Sequence, residues 1–211
     1  GGRRRVKTAI ADGDGVLIND AGTMRMPRSE TMATYIGTKV GGGVVFIASI
    51  DISNAATASF TGFDSSKYDS YTFAFANFLP VTGDARFYAL LSVDSGSNYL
   101  SASDSYYIYS TGVASSGNSA FIPFGYYGFA DDDGLGFTGN VRIIGPHLNK
   151  STFVYAEGLY AQNGSPFIDN GSSHYGNGYT KANTVVNAVQ FKISTGNIAS
   201  GTITMYGMVN S

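Results

Sequence analysis

Apolar and polar residues alternate along the last part of the chain. Val189, Phe191 and Ile193 are separated by single polar residues, and the alternation returns at Ile203 and Met205 after a Thr-Gly-Asn turn. A period of two residues places successive side chains on opposite faces of a strand, so that one face meets a core and the other meets water. The pattern predicts two antiparallel strands that pair with each other and close the sheet system of the main domain.

Similar strand patterns recur from residue 44 onwards, at intervals of roughly ten to fifteen residues with turn residues between them. In the clearest of them Tyr71, Phe73 and Phe75 alternate with smaller residues. No segment of this region has helical periodicity with capping residues, so residues 44–211 are predicted to form one all-β domain with about eight to ten strands in two sheets. The predicted strands are 44–52, 57–63, 68–79, 86–93, 99–111, an irregular 113–127, 137–144, 153–161 and those from 179 to the end.

Residues 1–40 are predicted to form a separate N-terminal unit. Short apolar runs at 16–18 and 23–26 flank turn-forming residues, which is typical of a β-hairpin. Ser29 is an N-cap candidate for a short helix that ends near Ile36. A run of three glycines then joins this unit to the main domain. A hairpin with two helical turns is too small to be stable alone, so we expect it to need a neighbour.

The composition excludes several classes of function. Only 13% of the residues are charged and the net charge is −2, whereas a dedicated nucleic-acid binder needs a basic face. The chain has no cysteine, which excludes disulfides and thiolate chemistry. No apolar run reaches the ~18 residues that a membrane-spanning helix needs. A surface rich in Gly, Ser, Asn and Tyr is typical of proteins that work outside the cell or inside a large assembly.

Basic residues are concentrated before the main domain, and Arg3, Arg4 and Arg5 are consecutive. One interpretation is a contact with an acidic partner, which would attach the chain to a larger particle, or a processing site. The alternative is a solvated terminus. The sequence begins with Gly1 rather than methionine, which indicates a processed or fragment terminus.

Three consecutive carboxylates, Asp131 to Asp133, form the main candidate metal site, whereas residues 12–15 (DGDG) resemble the start of a calcium loop but lack its later ligands. Their mutual repulsion favours either full solvation or a divalent cation, so Asp131 and Asp133 are candidate calcium ligands. No further ligand is visible at a suitable spacing, and a solvated turn is the simpler interpretation. Apart from this calcium candidate, the sequence predicts no cofactor.

The sequence does not predict an enzyme. The two histidines, His147 and His174, lack zinc-site spacing, and no Gly-x-Ser-x-Gly motif is present. A Ser–His–Asp triad would have to be assembled from distant loops. A glycosidase with paired carboxylates is the best enzymatic alternative, but Glu157 lies in an alternating strand, where an outward-facing structural role is simpler.

Tyrosine is the most informative residue type, with 15 copies and no tryptophan in the chain. Tyr offers rigid amphipathic contact area, and neighbouring Ser, Asn and Gly offer adaptable hydrogen bonds, which together are typical of recognition surfaces and of sugar binding. The alternative is that half of these rings face the core and the rest line a subunit interface. The candidate ligand-binding residues are Tyr106, Tyr107, Tyr109, Tyr126, Tyr127, Tyr175 and Tyr179.

Three segments resemble virion proteins of tailed bacteriophages, particularly tail-fibre proteins. They are residues 188–207 (AVQFKISTGNIASGTITMYG), residues 63–80 (FDSSKYDSYTFAFANFLP) with the turn after them, and residues 11–26 (ADGDGVLINDAGTMRM). The resemblance implies an antiparallel β-sandwich, jelly-roll-like, preceded by the hairpin-plus-helix unit. It also implies display on the virion, commonly as a trimer, and it indicates no catalytic residues.

Two functions follow as expectations from this resemblance and from the tyrosines. The first is a tail-fibre or receptor-binding domain, displayed as a homo-oligomer and contacting a glycan on the host surface. The second is a capsid-decorating or fibre-forming protein whose aromatic residues are buried between subunits and which has no host ligand. Both predict contacts with other virion proteins and neither predicts insertion into a membrane.

Overall fold

The computed structural model describes residues 18–20, 23–25, 43–110, 117–124, 128–131, 136–161 and 176–209. The described residues form strands, turns and loops and contain no helix, which confirms the predicted all-β class. The chain divides into two units, Gly1–Gly41 and Gly42–Ser211.

The first unit contains a two-stranded antiparallel hairpin. Strand β1 (Ile18–Asp20) pairs with β2 (Thr23–Arg25), with Ile18 opposite Arg25. The hairpin is therefore confirmed. The predicted helix at 29–36 and the basic residues Arg3, Arg4 and Arg5 lie outside the described residues.

The second unit has two antiparallel sheets. Its described strands are β3 (Val44–Ala55), β4 (Thr57–Thr61), β5 (Tyr68–Pro80), β6 (Phe87–Ser92), β7 (Tyr106–Ser110), β8 (Gly117–Ser119), β9 (Ile122–Pro123), β10 (Phe137–Ile144), β11 (Phe153–Leu159), β12 (Gly176–Thr180), β13 (Ala188–Ile193) and β14 (Ile198–Val209). The large sheet has the order β3-β14-β5-β10-β11-β12-β7-β8, and the small sheet has the order β4-β13-β6-β9.

An aromatic core joins the two sheets. Phe73 and Phe75 on β5 meet Phe191 on β13 edge to face, with ring centroids 5.1 and 5.0 Å apart. Phe75 also contacts Phe87 on β6 at 5.2 Å, and all four rings are buried. Each buried Phe side chain stabilises the fold by about 1.5–3 kcal/mol, and edge-to-face geometry adds to that. The alternation in residues 68–79 therefore predicted the core-facing positions of β5 correctly.

The predicted pairing of the last two strands is wrong. Strand β13 lies between β4 and β6 in the small sheet, whereas β14 lies between β3 and β5 in the large sheet. Residues 194–197 thus cross from one sheet to the other instead of closing a hairpin. Each strand still turns one face to the shared core, so the alternation of residues is satisfied equally well by either arrangement. The pattern specifies which face is buried and leaves the partner strand open.

Candidate functional site: an aromatic groove on the large sheet

The exposed face of β11, β12 and β7 carries aromatic residues in register. Directly opposite residues on neighbouring strands lie side by side, and residues two apart on one strand share a face. The strand pairing therefore produces two adjacent rows across the three strands, Phe153–Tyr179–Tyr107 and Tyr155–Asn177–Tyr109. Five rings surround one amide on this part of the face.

The rings contact one another and border a shallow depression. Tyr179 lies 5.7 Å from Tyr107 in a stacked arrangement and 5.6 Å from Phe153, measured between ring centroids. Tyr109 and Phe153 are 48% and 53% exposed. We call the depression, of about 490 Å³, the aromatic groove; its lining includes Tyr109, Ile144, Phe153, Tyr155, Asn177 and Tyr179.

Asn177 supplies the groove with an unpaired polar atom. Its Oδ1 is buried and has no hydrogen-bond partner among the described residues. An unsatisfied buried acceptor costs about 1–3 kcal/mol, and native structures seldom retain one without a reason. Because the oxygen is buried, a ligand hydroxyl or amide group in the groove would pair with it only after neighbouring side chains move aside.

The charged groups beside the groove are paired with each other. Arg142 is directly opposite Tyr155, and its Nη2 lies 3.9 Å from Oε1 of Glu157. The Tyr155 hydroxyl donates to Oε2 of Glu157 at 3.4 Å. Both charged side chains are solvent-exposed, so this ion pair adds little stability. Glu157 faces outward and contacts its neighbours on the sheet, and the described residues that line the groove include no charged side chain.

Tyr106 lies on the opposite face of β7, in the core. Its hydroxyl group is buried, accepts a hydrogen bond from the Leu91 amide at 2.7 Å and donates one to the Leu100 carbonyl at 3.0 Å. Burial raises the pKa of Tyr106, and the Leu91 hydrogen bond acts in the opposite direction. Tyr106 therefore does not contribute to the exposed aromatic face, although the sequence grouped it with Tyr107 and Tyr109.

Of the remaining candidates the structure describes only Asp131, which does not line the groove. Tyr126, Tyr127, Tyr175 and Asp133 lie outside the described residues, and Asp131 is exposed. Within the part of the chain that the structure describes, no three His, Cys, Asp or Glu side chains come together as a metal site.

The sequence did not predict that Ile144, Phe153, Tyr155 and Asn177 line the groove. Phe153, Tyr155 and Asn177 come from β11 and β12, far in the chain from Tyr107 and Tyr109. Alternation in residues 153–161 indicated that the first two share a face, but the pairing of β11 with β12 and of β12 with β7 was needed to place them beside the tyrosines.

Comparisons of this chain with protein-family models, with curated protein sequences and with solved structures gave no match. The described residues include no helix long and apolar enough to cross a membrane.

Proposed function

We propose that this chain is a virion structural protein of a tailed bacteriophage, a tail-fibre-like receptor-binding domain that contacts a host-surface glycan through the aromatic groove. The resemblance of residues 11–26, 63–80 and 188–207 to such proteins supports the virion assignment. In this proposal residues 44–211 form a jelly-roll-like β-sandwich that is displayed as a homo-oligomer. The low content of basic residues argues against nucleic-acid binding. Arg3, Arg4 and Arg5 contact an acidic virion partner.

The unpaired Oδ1 of Asn177 among aromatic rings is the observation that carries the glycan assignment. A sugar ring has an apolar C–H face that stacks on aromatic side chains, and it has hydroxyl groups that donate hydrogen bonds. The groove offers Tyr109, Phe153 and Tyr179 for stacking and Asn177 as acceptor. Because the described groove lining includes no charged side chain, a neutral sugar is favoured over a charged one.

Substitution of Asn177 tests this assignment. We expect Asn177→Ala to weaken glycan binding about tenfold, which corresponds to the loss of one hydrogen bond of about 1.4 kcal/mol. Tyr179→Ala should weaken binding at least as much, because stacking is lost. The measurement is a glycan array followed by titration of the strongest glycan found.

Asn140→Ala is the matched control, because Asn140 lies on the same sheet face opposite Glu157 and does not line the groove. It should leave the affinity unchanged. An array without any bound glycan, or equal affinities for the wild type and Asn177→Ala, would contradict the proposal.

A structural role without a host ligand is the second candidate, and exposed apolar residues favour it. Val44 and Phe46 on the edge strand β3 are exposed, and Phe46 contacts Tyr206 of β14 at 6.2 Å. An exposed apolar edge is suited to contact with another chain. In this case Phe46→Asp should lower the mass measured by light scattering to that of a monomer, while Thr204→Asp on the neighbouring strand should not. A monomeric wild type excludes this second candidate.

A further inference from the structure

The second unit has another cleft, which shares no described lining residue with the aromatic groove. It has a volume of about 300 Å³ and is formed by the segment after β4, the start of β5, the turn after β10 and the segment before β13. We call it the His147 cleft; its lining includes Phe63, Tyr68, Tyr71, Pro146, His147 and Val185.

Tyr71 contributes a fixed hydroxyl group to this cleft. The side chain is only 1% exposed, its ring stacks on Phe63 at 4.2 Å, and it meets Tyr68 edge to face at 5.7 Å. Its hydroxyl oxygen is buried and makes no hydrogen bond of standard geometry with a described residue, although the Asp64 amide lies near it, so its proton is free to be donated. Burial raises the pKa of Tyr71 to about 12, with the Asp64 amide acting in the opposite direction, so the phenol keeps its proton near neutral pH.

His147 contributes a second unpaired atom. Its Nε2 lies 3.6 Å from Oδ1 of Asp69, and its Nδ1 is buried without a partner in the described structure. A carboxylate beside Nε2 favours the tautomer that carries the proton there, which leaves a lone pair on Nδ1. The cleft thus offers a phenol that can donate and an imidazole nitrogen that can accept.

The Asn187 side chain of the cleft is already engaged, and carboxylates lie near both unpaired atoms. The Asn187 side chain accepts from the Ser95 amide at 2.7 Å and donates to the Val93 carbonyl at 3.1 Å. Asp69 lies beside His147, and Asp64 close to Tyr71 is paired with Lys67 at 3.0 Å. An anionic ligand would meet these carboxylates, whereas a neutral ligand would not.

We infer that the His147 cleft binds one neutral sugar ring, with ligand hydroxyl groups accepting from Tyr71 Oη and donating to His147 Nδ1. A hydroxyl group is both donor and acceptor, so this ligand class satisfies both unpaired atoms. Tyr68, Pro146 and Val185 supply apolar walls for the C–H faces of the ring. The volume is at the small end of ligand pockets, which suits a single ring rather than an extended chain. The inference does not depend on the function proposed for the aromatic groove.

Nuclear magnetic resonance of the full chain tests this site. The imidazole nitrogens are labelled with nitrogen-15, and the His147 signals are assigned by comparison with His174→Asn. The probes are the methyl glycosides of glucose, galactose and N-acetylglucosamine, with sodium acetate as an anionic probe. We expect at least one glycoside to shift the Nδ1 signal of His147 with saturation, and acetate to leave it in place.

Two substitutions locate the binding. Tyr71→Phe keeps the ring and removes only the hydroxyl group, and it should raise the dissociation constant of the glycoside at least fivefold. His147→Phe should raise it by a similar factor, and binding to this variant is followed through the amide signals of the cleft. Asn177→Ala is the control and should leave this dissociation constant unchanged, which separates the cleft from the aromatic groove. No shift with any glycoside, a shift with acetate alone, or full affinity in both cleft variants would overturn the inference.

Discussion

Tyr71 and Tyr106 are both buried, yet their hydroxyl groups have opposite surroundings. The hydroxyl of Tyr106 connects the Leu91 amide on β6 with the Leu100 carbonyl in the loop before β7. The hydroxyl of Tyr71 has no such partner among the described residues and borders the His147 cleft. The first hydroxyl group is thus part of the hydrogen bonding of the core, and the second is available to a ligand.

We therefore expect the two phenylalanine substitutions to differ in stability. Tyr106→Phe leaves a buried amide and a partly buried carbonyl without their side-chain partner and should lower the free energy of unfolding by about 1–3 kcal/mol. Tyr71→Phe removes an unpaired polar group and should leave the free energy of unfolding unchanged or raise it slightly. Urea denaturation followed by circular dichroism measures the free energy of unfolding of both variants. Equal losses would contradict the conclusion that only the Tyr106 hydroxyl group is part of the hydrogen bonding of the core.

At the level of elements, β14 pairs with β3 on one side and with β5 on the other, and its register with β5 shifts near the beginning of β14. Gly201 has a φ of +133°, and the pairing with β5 is irregular between Ser200 and Thr202. A Cβ at this position would lie 2.7 Å from Cα of Phe78 and 2.9 Å from the carbonyl oxygen of Asn77. The strand therefore requires glycine here for both its backbone conformation and the close approach of β5.

Gly201→Ala should accordingly destabilise the second unit. Backbone strain at such a position costs about 1–3 kcal/mol, and the contacts with backbone atoms of β5 add to it. Gly43→Ala is the matched control, because its Cβ would meet no atom within 4 Å and Gly43 has no positive φ. The midpoint of thermal unfolding should fall clearly for Gly201→Ala and stay within experimental error for Gly43→Ala. Similar midpoints for both variants would show that β14 tolerates a side chain at this point.

At the level of the whole molecule, the second unit has a core that draws on both sheets. Phe75 on the large sheet contacts Phe87 and Phe191 on the small sheet, and all three are buried. Separating the two sheets would expose these rings to water, and the hydrophobic stabilisation from several large side chains would be lost. The two sheets are therefore expected to unfold together.

A fragment covering residues 42–211 should fold alone with a single transition. Its unfolding followed by far-ultraviolet circular dichroism and by tyrosine fluorescence should give coincident curves. The intact chain, measured under the same conditions, is the control. Curves that separate would mean that one sheet survives the loss of the other, in conflict with a shared aromatic core.

The candidate groove was predicted only in part from the sequence. Tyr107, Tyr109 and Tyr179 were identified because tyrosines cluster near small polar residues, and the structure brings these three together. Tyr106 was included for the same reason, although alternation with Tyr107 already placed it on the other face. Asn177, the residue with the unpaired oxygen, gives no local signal, because its importance depends on rings from other strands.

The local pattern was sufficient for the class of fold, for most strands and for the buried face of each, because alternation depends only on the geometry of a single strand. It could not identify the partner of each strand, as β13 and β14 show by entering different sheets. Strand partners depend on contacts between residues far apart in the chain, and the same contacts place Asn177 among the rings and His147 beside Asp69. Only the tertiary structure reveals the aromatic groove and the His147 cleft, because each is formed by segments that come together through the pairing and packing of distant strands.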